Sequence, residues 1–155
     1  MLQRIQSVYL LFAGLLILAL FLFPLVHNVY VGGVPSTISI TGVYQDVNGQ
    51  TAHTQTFVGL IAGTAVVGML PFILVFLYKN RKQQIMFCYL YILVIIGLSF
   101  WLAQTVKAVA GDFTMGTNNF GIGALLSSIS IVLMILATKA IQRDEKLIKS
   151  ADRLR

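Results

Sequence analysis

His27, Asp46 and His53 all fall in one polar segment between the first two apolar stretches of the chain. Two imidazoles and a carboxylate are a donor set that catalytic zinc sites use, but such sites bring their ligands together at characteristic spacings. These three are scattered, so they read as surface or interface side chains, and no metal or other cofactor is expected. Cys88 is the sole cysteine, which excludes an intrachain disulfide. It stands at the start of an apolar run, where a thiol packs as a small apolar group. No Gly-rich phosphate loop, nucleophile elbow or Cys-x-x-Cys pair occurs, and the expectation is a protein that is not an enzyme.

Dense polarity appears once, in residues 139–155. This stretch has no Gly or Pro, and Ala140, Leu147, Ala151 and Leu154 recur at heptad-like spacing with Ile141 and Ile148 beside them. It reads as an amphipathic helical arm. A basic helix can rest on anionic headgroups. Asp144, Glu145 and Asp152 would be repelled there, which favours docking on a protein partner. The docking candidates are Arg143, Asp144, Glu145, Leu147, Ile148, Ala151, Asp152 and Leu154.

These residues hang on four long apolar runs, 8–26, 57–78, 85–106 and 120–138. Each holds about 20 residues, enough for a helix to cross a hydrocarbon layer of about 30 Å. With 57% hydrophobic and 10% charged residues, an ordinary soluble domain is excluded. The net charge of +6 resembles a nucleic-acid signal until the charges are located. Arg4, Lys79, Arg81, Lys82 and the basic residues of the 139–155 tail flank run ends that can share one side. The 27–56 segment has no Lys or Arg, and Lys107 alone belongs to the opposite side. Positive residues concentrate in the cytoplasm, so both termini are placed inside and no nucleic acid is expected as a partner.

The predicted fold is an all-α membrane protein. It is a single four-helix transmembrane bundle over residues 1–155, with a small external β-hairpin in the 27–56 loop and a cytoplasmic extension, 139–155, of the fourth helix. The first helix is expected to run to about Pro24. The Gly32-Gly33 pair reads as a breaker. Alternation through Thr37-Ile38-Ser39-Ile40-Thr41 marks a half-exposed strand, and Asn48-Gly49 marks a hairpin turn. Gly59 and Gly63 form a Gly-x-x-x-Gly face expected to bring two helices close, and Pro71 should kink the second helix. Gly123 and Ser127, four apart on the fourth run, are likewise expected to pack closely on a neighbour.

No ionisable residue lies in the central part of any run, whereas proton relays, ion pathways and intramembrane hydrolysis require them. Gln104 is the deepest strongly polar residue, and it lies near one end. The expected role is therefore a non-catalytic accessory or stabilising subunit of a larger inner-membrane complex, with membrane lipids and protein subunits as partners. Protein export or insertion and a respiratory assembly are the hosts to test. A small oligomeric transporter or channel, built as a homo-oligomer, and a lipid-binding membrane protein are the alternatives.

The start, Leu2-Gln3-Arg4-Ile5-Gln6-Ser7-Val8-Tyr9-Leu10-Leu11, and the end, Arg143-Asp144-Glu145-Lys146-Leu147-Ile148-Lys149-Ser150-Ala151-Asp152-Arg153-Leu154-Arg155, carry a resemblance. Together they resemble a small bacterial family of four-span membrane proteins known only as a domain of unknown function. The resemblance implies a multi-pass protein of the inner membrane of a two-membrane bacterium. It brings no catalytic residues with it.

Overall fold

The structure is a computed structural model and describes residues 2–47, 50–111 and 116–152. Four helices carry the chain: α1 (Leu2–Ala19), α2 (Val58–Phe76), α3 (Arg81–Ala110) and α4 (Ile122–Asp152). Helices α2, α3 and α4 are long and apolar enough to cross a membrane, while the apolar part of α1, Ile5–Ala19, is shorter. Helix α1 packs against α4 and α2, and α3 packs against α4 and α2, so each helix has two main neighbours.

The first apolar run does not stay helical to Pro24. After Ala19 the backbone tightens, with Leu22 N and Phe23 N both bonding to the Ala19 carbonyl at 2.9 and 3.2 Å. The chain then leaves as an extended strand. Pro24 lacks an amide hydrogen and disfavours helix at the residue before it, so hydrophobicity carries the run further than helical geometry does. Helix α2 instead continues through Pro71, which is buried within it.

Between α1 and α2 the chain builds a sheet twice the size of the expected hairpin. Strands β1 (Val26–Val31), β2 (Val34–Ile38), β3 (Gly42–Val47) and β4 (Gln50–Thr56) pair antiparallel in the order β1-β2-β3-β4. The Gly32-Gly33 pair is a turn inside this sheet. Val31 pairs with Val34, and both glycines have positive φ, 62° and 84°, as a primed two-residue hairpin turn demands. The expected Asn48-Gly49 turn lies outside the described residues; the flanking Val47 and Gln50 are paired across it. Alternation sends Val29, Ile38 and Val43 into the core, and Ile40 in the β2–β3 connection joins them.

The sheet is fastened where α1 ends and α4 begins. Gly121 N bonds to Leu25 O at 2.8 Å, Gly123 N to Pro24 O at 3.1 Å, and Val26 bridges Phe120. The Asn119 side-chain amide donates to the carbonyls of His27 and Asn28 at 3.2 and 3.0 Å. These bonds hold the carbonyls of a β1 irregularity in which Asn28 has φ 56°. The bundle thus has a sheet end and an opposite end, where the start of α1, the α2–α3 turn and the last turns of α4 gather.

Candidate functional site

The α1–α4 seam is antiparallel and polar at three levels. At the sheet end it holds the Gly123 N to Pro24 O bond, and midway Ser130 Oγ donates to Ala13 O at 2.9 Å. At the opposite end the Gln6 amide donates to the Asp144 carboxylate and, at 3.3 Å, to the Ala140 carbonyl. All three side chains are more than nine-tenths buried. The interior face of α4 runs through Met134, Ala137, Ile141 and Asp144, at spacings of three and four. Asp144 therefore continues the stripe that faces α1.

That placement corrects the expected docking surface. Asp144 is only 6% exposed and is occupied by Gln6, so it is part of the bundle and not of a free arm. Arg143 and Lys146 are exposed, Glu145 is half-buried, and Leu147 is 52% exposed. Ile148, Ala151 and Asp152 lie on the last turns of α4, and Leu154 lies outside the described residues. Three further amide and hydroxyl groups mark this end. Gln84 caps the end of α2 by donating to Leu74 O at 3.0 Å, Gln142 donates to Tyr89 OH at 2.9 Å, and Thr138 donates to Met134 O at 2.7 Å beside buried Cys88.

The predicted packing residues also divide. Gly59 and Gly63 do not meet a helix backbone; they seat the indole of Trp101 from α3, which a Cβ at Gly63 would approach to 3.2 Å. The close crossing occurs between α1 and α2, where a Cβ on Gly14 would lie 3.0 Å from Gly68 O. Gly123 packs against the backbone carbonyls of Phe23 and Pro24, in the link between α1 and β1. Ser127, one turn further along α4, is buried. It faces a groove of about 510 Å³ between the sheet-end halves of α3 and α4.

The residues alone did not locate that groove, although a lipid-binding protein with a groove between helices was one alternative. Leu102, Val106 and Lys107 of α3 form one wall, and Gly123, Ala124 and Ser127 form the other, with Leu25 and Val26 also lining it. The signal was present in the small residues of α4, which were read as close packing when here they leave space. Gly111 ends α3, and the N-terminal end of α4 opens onto the same groove. Exposed Lys107 and the positive end of the α4 dipole meet there, and the first turn of α4 holds no acidic residue. Ser127 is 6% exposed as a residue and lines the groove.

His27, Asp46 and His53 form no metal-ligand cluster. His53 stacks on Tyr44 at 4.8 Å, and the His27 carbonyl is held by Asn119. Among the described residues no three His, Cys, Asp or Glu side chains gather.

A family model described as a domain of unknown function, DUF4293, matches residues 2–154. The chain belongs to this family. No curated protein matches it. Because the match covers both the α1–α4 seam and the α3–α4 groove, both features belong to the DUF4293 region itself.

Proposed function

We propose that this DUF4293 chain is a multi-pass protein of the bacterial inner membrane, with both termini in the cytoplasm. It serves there as a non-catalytic accessory or stabilising subunit of a larger assembly, such as an export, insertion or respiratory machine. Three helices of sufficient length and apolarity support the membrane part. Helix α1 would complete a fourth span, since its 18 residues reach about 27 Å before the tight turn at 20–23 adds to them.

Helix α4 carries the subunit reading. Its 31 residues extend about 46 Å, well beyond the thickness of the hydrocarbon layer. The excess emerges at the end where Gln6, Gln84 and Gln142 cluster, and it presents Arg143, Lys146 and Leu147 outward. Inside the bundle the hydroxyls of Ser99, Ser130 and Thr138 are spent on backbone carbonyls. A polar pathway of the kind a transporter or channel needs is not traced by the described residues, which ranks that alternative lower.

Affinity purification in mild detergent, followed by mass spectrometry, tests the reading. Arg143→Glu combined with Lys146→Glu, and separately a truncation after Lys146, should release the same partner subunits while the chain stays in the membrane. Both variants keep the contact between Gln6 and Asp144. Undiminished recovery of the same partners with both would overturn the docking role.

A further inference from the structure

We propose that the groove between α3 and α4 holds one acyl chain of an anionic phospholipid from the surrounding bilayer. Its phosphate would lie at Lys107 and an ester carbonyl at Ser127. This rests on the membrane reading above and adds a defined ligand site to it. The volume, about 510 Å³, lies in the range of small-molecule sites, and most of its lining is apolar. Along α3 the lining runs from Ser99 to Gly111, about 18 Å, slightly more than half of a hydrocarbon layer of about 30 Å. A groove of that length accompanies an acyl chain through one leaflet. Ala103 and Ser128 line it and are exposed, so it opens to the side, where lipid enters.

The polar groups select the headgroup. Lys107 is the only basic residue between the α2–α3 turn and the end of the fourth apolar run, and it is exposed beside the positive end of α4. An anion placed there meets both. Ser127 supplies the second point. Its hydroxyl faces the groove, and an ester carbonyl at the depth of one helical turn would accept from it. The apolar runs of this chain contain no Asp or Glu, so a span of a second copy would bring no negative charge to Lys107. A lipid phosphate does.

The test uses the full chain, reconstituted in vesicles of equal phosphatidylglycerol and phosphatidylcholine, extracted in mild detergent and weighed by native mass spectrometry. One phosphatidylglycerol per chain should be retained in preference to phosphatidylcholine. Lys107→Gln should lower that preference about fivefold, the weight of one lysine near an anionic surface, while Lys107→Arg should keep it. Lys82→Gln, at the far end of the bundle, should change nothing. Ala124→Leu should fill the groove and remove the lipid, with Cys88 still shielded from a thiol dye as proof of folding. Equal retention of the two lipids, an unchanged preference in Lys107→Gln, or lipid held by a folded Ala124→Leu chain would each overturn the proposal. A chain that inserts but holds no lipid defeats this site alone. A chain that never enters the vesicles defeats the membrane reading as well.

Discussion

Three glycine-to-alanine substitutions should separate in stability by the atoms that the new methyl group meets. At Gly123 the added Cβ would lie 2.6 Å from Pro24 O and 2.9 Å from Phe23 O. Both are backbone atoms, so neither can rotate away, and the α1–β1 link must withdraw to reach the ordinary contact range that begins at 3.4 Å. Overpacking of this kind costs about 1–3 kcal/mol. The usual helix gain of about 0.5–1 kcal/mol is small at a first-turn position, leaving a net loss of about 2 kcal/mol. At Gly63 the nearest atom is Cζ3 of Trp101, 3.2 Å away, on a ring that is 47% exposed and can yield. Gain and strain should nearly cancel there. Gly97 has nothing within 4 Å and sits in mid-helix, so alanine should stabilise by about 0.5–1 kcal/mol. Cys88 supplies the assay, being the sole cysteine and 0% exposed. A thiol-reactive dye reports unfolding in detergent, and the Gly123→Ala midpoint should fall by about 5 °C. If Gly123→Ala melts at or above the wild-type midpoint, or below Gly97→Ala by no margin, the close approach at Pro24 is not what holds the sheet end together.

Gln6→Leu alone should destabilise by about 2–3 kcal/mol because it strands the Asp144 carboxylate, whereas Gln6→Leu with Asp144→Leu should recover most of that loss; thermal melts of the cycle measure the coupling. Ser130→Ala should cost about 1 kcal/mol by the same assay, since only one bond to Ala13 is lost. Single cysteines at Ser39 and Ser150 in a Cys88→Ala background should differ in labelling by an impermeant thiol reagent. With the outer membrane permeabilised, Ser39→Cys should react and Ser150→Cys should not, and the reverse pattern would invert the proposed orientation.

Local features were legible in the sequence and distant ones were not. The alternation around Ile38, the strand on either side of Asn48-Gly49 and the apolar runs of α2, α3 and α4 are encoded by neighbouring residues, and the structure places elements there. Gly32-Gly33 was visible but read as a break, because the paired strand it serves is recognisable only once Val31 meets Val34. Gly59 and Gly63 were seen as a site of close approach, yet the partner is an indole from α3. The crossing of α1 and α2 uses Gly14 and Gly68, which no sequence motif links. Asp144 was misjudged for the same reason. Which way it faces is decided by α1, far away in the chain, and a charged residue within a charged tail gives no hint that a glutamine near the start awaits it. The groove was hidden because small residues permit either contact or a gap, and the neighbouring side chains decide between them.

The seam between α1 and α4 also sets an order of events during synthesis. Every strand of the sheet pairs with its immediate neighbour in sequence, so the sheet can complete itself as soon as β4 has emerged. Helix α1 has no such luck. Gln6, Ala13 and Pro24 find their partners on the fourth helix, so at about 5–20 residues per second α1 waits for them for roughly 6–25 s. During that interval its face of Leu10, Ala13 and Ile17 has only α2 to lean on. Arrival of α4 closes the ring. A product broken off before α4 would therefore keep the α4-facing side of α1 uncovered.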